Sequence, residues 1–128
     1  MSPGKRERRG RGRLSRSGDF ERAYREGASH SNRFLVLYAF PRPDARDEGV
    51  RLGVSVGRGL GGAVERNKVK RALREAFREV DGRLPDGHDF VLVARPDLGG
   101  LVDREGTVGV RECLDEVIRE SGLARRNV

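Results

Sequence analysis

Residues 63–80 constrain the fold more than any other stretch, because their apolar side chains recur with the period of an α-helix while the opposite side carries only polar and charged groups. At about 100° per residue, Val69, Leu73, Ala76, Phe77 and Val80 form one stripe. A stripe of that width has to be buried against another layer. Asn67, Lys70, Arg71, Arg74 and Arg78 project from the other side, Arg66 and Lys68 stand at the margins, and no acidic residue falls between Arg66 and Arg74. Like charges four residues apart, as in Arg66 with Lys70, Lys70 with Arg74 and Arg74 with Arg78, each cost a helix about 0.2–0.5 kcal/mol. An external polyanion is the natural compensation: arginine forks onto phosphate, lysine acts as a point charge, and Asn67 can read a base edge or a 2′-OH.

Short runs on both sides supply the layer against which such a helix can pack. Residues 34–40 are aromatic and branched and end at Pro41, which predicts a strand with Leu35, Leu37 and Ala39 on one face and Phe34, Val36, Tyr38 and Phe40 on the other. Residues 50–56 alternate, with Val50, Leu52, Val54 and Val56 opposite Arg51, Gly53 and Ser55. Side by side, the second faces of these strands would make a groove with rings for stacking bases and an arginine for phosphate. The competing expectation is that Phe34 and Phe40 are simply core. Upstream, Ser17 can cap a short helix bearing Phe20, Ala23 and Tyr24, with Gly27 as its stop. Downstream, residues 89–95 read as a strand halted by Pro96, and residues 108–121 as a helix with Cys113, Leu114, Val117 and Ile118 at helical spacing.

Charge supports the polyanion reading. The 128 residues carry 27 Lys and Arg against 20 Asp and Glu, a formal charge of +7. Seven of the basic residues and only Glu7 fall in residues 1–16, so +6 of that charge sits in a Gly-rich tail too polar to fold alone. One domain is expected over residues 17–123, with residues 124–128 frayed. No apolar run is long enough to span a bilayer, and no membrane partner is expected. A single cysteine excludes an internal disulfide, and a cytoplasmic location follows as the expectation. Cys113 reads as core, and His30 and His88 as isolated surface or loop residues without metal-ligand spacing. The acidic pairs Asp47 with Glu48 and Asp103 with Glu105 read as solvated loops, and no nucleophile and base suggest themselves. Gly57, Gly59 and Gly62 satisfy a dinucleotide-binding fingerprint literally, but the next strand ends at Arg95 rather than at an acidic ribose ligand. The same glycines would let the backbone N–H groups that open the helix approach an anion.

Residues 63–71 followed by Arg74 and Glu75 resemble the signature helix of the bacterial ribonuclease P protein family, an RNR motif continued by a Lys-Arg pair and a further Arg. Supporting pieces follow the same order: Asp19-Phe20 with Tyr24 and Gly27, then residues 33–38, 51–56 and 89–96. The resemblance covers residues 14–123 and departs at Lys68, where the family has a second Arg, and at Arg58-Gly59 and Gly62, where it has a basic pair and an asparagine. It implies an α/β (α+β) sandwich in the order αβββαβα, with a four-stranded mixed sheet, an extra short strand near residues 29–31 and a left-handed βαβ crossover. It further implies a subunit that binds ribonuclease P RNA, one protein per RNA, and the 5′ leader of precursor tRNA. The RNA and its magnesium would carry the hydrolysis, with no catalytic or metal-binding residue on the protein. By position, Arg58, Arg66, Asn67, Lys68, Lys70, Arg71 and Arg74 would meet the RNA, while Phe20, Tyr24, Val36, Tyr38, Arg51 and Ser55 would line a leader cleft. A structural rRNA-binding protein of ribosomal type is the alternative.

Overall fold

The computed structural model describes residues 28–41, 50–85 and 87–123. The basic tail, the helix expected after Ser17 with its Phe20 and Tyr24, the loop holding Asp47 and Glu48, and residues 124–128 lie outside the described residues. Six elements follow in order: β1 (Ala28–Ser31), β2 (Leu35–Pro41), β3 (Val50–Ser55), α1 (Ala63–Val80), β4 (His88–Ala94) and α2 (Leu98–Ser121). Single 3-10 turns at Arg58–Leu60 and Asp81–Arg83 flank α1.

The strands form one sheet in the order β1-β2-β4-β3, antiparallel between β1 and β2 and between β2 and β4, but parallel between β3 and β4. Parallel neighbours cannot be joined by a tight turn, and α1 is the crossover that links them. Leu35, Leu37 and Ala39 of β2, Val50 and Leu52 of β3, and Phe90, Leu92 and Ala94 of β4 all join one core with the apolar stripes of α1 and α2. Both helices therefore cover the same face of a mixed sheet, a two-layer α+β sandwich. Phe40 and Val91, with Tyr38 and Val93 packed beside them, form a separate small cluster on the opposite face.

Local chemistry explains where the structure departs from the predicted elements. β1 is nearly all exposed, has no apolar alternation to betray it, and is defined by its pairing with β2. Asn32 closes that hairpin: its Oδ1 accepts from the N–H groups of Phe34 (2.9 Å) and Leu35 (3.1 Å), while its Nδ2 donates to the Cys113 carbonyl (3.1 Å) and the Glu116 carboxylate (3.2 Å). Phe34 lies in this turn ahead of the strand, so alternation does not reach it, and its ring packs on the main core instead of joining Tyr38 and Phe40. Arg33 lies over that ring, 5.4 Å from its centroid. His88 is the first residue of β4 rather than a loop residue, and its ring stacks on Phe90 at 6.0 Å.

The second helix begins ten residues earlier than predicted, at Leu98, and passes through a kink at Gly106 (φ 65°, ψ −153°). Leu98, Leu101 and Val102 are buried, at the i, i+3, i+4 spacing of a helix. Asp103 and Glu105 therefore stand on a helix and not in a loop.

Candidate nucleic-acid interface

α1 occupies the predicted residues and buries the predicted stripe, with Ala72 added at its edge. Its first turn is shaped by Gly61, whose φ of 119° favours glycine and at which a Cβ would stand 2.9 Å from that of Glu65. The Glu65 carboxylate accepts the Gly62 N–H at 3.1 Å. An internal anion thus already caps the helix start, where the sequence suggested an external one.

On the outer side Asn67, Arg71 and Arg78 are exposed and Lys70 and Arg74 half-buried, and with Glu75 these five line a groove of about 310 Å³. Among the described residues, no carboxylate lies within ion-pair distance of Lys70, Arg71 or Arg78. Arg58 is exposed on the 3-10 turn that precedes the helix. Arg66 is also half-buried, and its Nε is shielded from solvent with no hydrogen-bond partner among the described residues.

The remaining charges of α1 turn toward α2. Lys68 pairs with Asp103 (2.8 Å), Glu75 accepts from the Thr107 hydroxyl (2.8 Å), Glu79 pairs with Arg111 (3.4 Å), and just past the helix Arg83 pairs with Asp115. Partners advance together along both chains, so the helices run parallel, joined by a polar seam. Asp115 also meets Arg119 at 3.3 Å; the hydrogen bond from Arg83 holds its carboxyl below the usual carboxylate range, outweighing partial burial. Burial raises the Cys113 thiol on the same helix, helped by Glu116, Glu105 and Glu112, so this half-buried side chain is a poor thiolate. All three acidic residues of α1 are thereby engaged at its cap or along the seam, and the outer groove, with four basic residues against Glu75, is basic on balance.

Strand register sets the chemistry of the sheet face opposite α1 and α2. Three rows cross β2, β4 and β3: Phe40, Asp89 and Arg51; Tyr38, Val91 and Gly53; Val36, Val93 and Ser55. Val36, Tyr38, Val93, Ser55 and Arg51 are half-exposed, whereas Phe40, Val91 and Asp89 are buried. Phe40 is thus a support beneath this face and not a ring offered to a ligand. Arg51 gives its fork to Asp89, Nε to Oδ1 at 2.8 Å and Nη2 to Oδ2 at 2.6 Å, so its guanidinium anchors one end of the face instead of standing open to phosphate. Val36, Tyr38, Arg51 and Ser55 share this face, as alternation suggested, but β2 and β3 are not side by side. Asp89, Val91 and Val93 were missed, because only the strand order places β4 between the other two. Among the described residues no group of three or more His, Cys, Asp or Glu side chains is placed to hold a metal ion, and no helix is long and apolar enough to cross a membrane.

Comparison with known proteins gives the arrangement its context. Residues 9–117 match the family model described as Ribonuclease P. Similar proteins include the ribonuclease P protein component of Bacillus velezensis, 34% identical over 117 residues that cover 91% of this chain and 95% of that protein. The corresponding component of Clostridium acetobutylicum is 41% identical over 88 residues, covering 69% and 73% of the two chains. The solved RNase P protein of Staphylococcus aureus has a TM-score of 0.74 at 32% identity, covering 87% of this chain and 95% of that one. That of Thermotoga maritima has a TM-score of 0.72 at 35% identity, covering 85% and 97%. With one match running from the tail into α2 and the same fold in solved relatives, the chain belongs to the ribonuclease P protein family.

Proposed function

We propose that this chain is the protein subunit of a ribonucleoprotein ribonuclease P, working in the cytoplasm with one protein per catalytic RNA. The outer groove of α1 is the surface that docks on the RNA subunit, and the sheet face opposite α1 and α2 holds the 5′ leader of precursor tRNA. Chemistry belongs to the RNA and the magnesium bound to it; the protein's part is to hold both RNAs. One observation carries this reading: every carboxylate on α1 is committed to its cap or to α2, while Lys70, Arg71 and Arg78 face outward with no acidic partner among the described residues. Such a surface repels itself until phosphates approach, and binding then releases their condensed counterions. Asn67 adds a donor and an acceptor within the same groove.

Arg71→Ala tests the reading. In titrations of a bacterial ribonuclease P RNA at several salt concentrations, it should weaken binding and lower the slope of log K against log salt by about 0.7–0.9 for the lost phosphate contact. A slope equal to that of the unmodified protein would remove α1 as the RNA surface. At low magnesium the protein should promote leader removal by the RNA and cleave nothing by itself.

A further inference from the structure

The basic run on α1 is not uniform. Lys70 and Arg71 point into the outer groove, but Lys68, one residue from Asn67 in sequence, leans the other way and places its Nζ 2.8 Å from Asp103 of α2. The two helices also differ in overall charge: α1 holds six basic and three acidic residues, a net of +3, whereas α2 holds three basic and six acidic residues, a net of −3. Lys68–Asp103 is the first link of the seam between them, and both side chains are more than half exposed. A polyanion that approached Lys68 would therefore also meet the Asp103 carboxylate and, behind it, an acidic helix. Lys70 and Arg71 impose a smaller cost, since Glu75 is the one acidic residue in their groove, stands among four basic ones and already accepts from Thr107.

We infer that Asp103 sets the edge of the RNA surface: it retains Lys68 within the protein, so that Lys68 is not a phosphate contact although it lies inside the basic run. This inference rests on α1 being the RNA surface and adds where that surface stops. It singles out Asp103, a residue with no contact to RNA of its own, as a negative determinant of affinity. The role needs no large contribution to folding, since exposed pairs of this kind stabilise little.

Three variants of the full chain, each titrated against a bacterial ribonuclease P RNA over a fourfold range of salt, test the inference. Asp103→Asn should release Lys68 to a phosphate, tighten binding and steepen the salt slope by about 0.7–0.9, so that the affinity advantage changes about threefold from one end of that range to the other. The double variant Asp103→Asn with Lys68→Ala should lose that gain, and thermal melts should confirm that both variants fold. An unchanged slope in Asp103→Asn would overturn the inference even if affinity rose, because Lys68 would then already touch RNA in the unmodified protein. A gain that survives in the double variant would also overturn it, leaving Asp103 as a general repulsive charge. Arg71→Ala separates this from the underlying reading: if its slope falls while Asp103→Asn does nothing, only the edge is wrong, and if its slope stays unchanged, the RNA surface and its edge fall together.

Discussion

Asp89 is fully buried on the sheet face opposite α1 and α2, and both of its oxygens are taken by the Arg51 fork. A buried carboxylate costs several kcal/mol to desolvate, and that cost is met only while its partner is present. Removing one partner should therefore do more damage than removing both. Asp89→Ala is expected to destabilise the fold by about 3 kcal/mol, the low end for buried pairs because the Arg51 side chain is 34% exposed. Urea denaturation should show a lower midpoint for this single variant than for the double variant Arg51→Leu with Asp89→Val, which removes both ends of the ion pair. Equal midpoints would mean that the pair does not behave as a buried one. The sequence showed Arg51 on a polar strand face but not the carboxylate opposite, because the parallel register that aligns residue 51 with residue 89 is set by the crossover.

Among the elements, legibility followed glycine content and length. α1 was read to the residue because its apolar period runs unbroken over 18 residues with no glycine inside it. The first half of α2 escaped because Gly99, Gly100, Gly106 and Gly109 depress helix propensity, and tertiary burial of Leu98, Leu101 and Val102 overrides that cost. Leu101→Ala, at a site 5% exposed, should accordingly cost about 2–5 kcal/mol in denaturation experiments. Val108→Ala, on the same helix but 54% exposed, should stay within about 0.5 kcal/mol of the unmodified protein. If the two changes cost the same, the segment before Gly106 is not docked on the core as described. β1 was invisible for the opposite reason, since four small or polar residues, three of them exposed, encode no pattern, and the Asn32 turn and the β2 edge define them.

At the scale of the whole molecule, the sheet divides labour between its faces. The helix-covered face supplies the main core, and the other presents Tyr38 among half-exposed neighbours above the Phe40–Val91 cluster. Function and stability should separate accordingly. Tyr38→Ala is expected to reduce the affinity of the assembled ribonucleoprotein for a tRNA bearing a 5′ leader by about 1–3 kcal/mol, the value of one lost stack, while leaving mature tRNA unaffected. Equal losses for both RNAs in a binding competition would show that this face does not read the leader. Tyr38 and Val36 could be placed on one strand face from alternation alone, but their proximity to Ser55 and Val93 depends on β4 standing between β2 and β3.

The parallel helices also give the protein an electrical polarity. With an excess of three positive charges on one rod and three negative charges on its neighbour, the pair behaves as a small dipole lying across the helix layer. In the field of a large polyanion such an object experiences a torque before it makes any contact. With α1 as the proposed RNA surface, that torque would turn α1 forward and α2 back, so that a larger share of encounters would begin in the productive orientation, an advantage in association rate that added salt would erase.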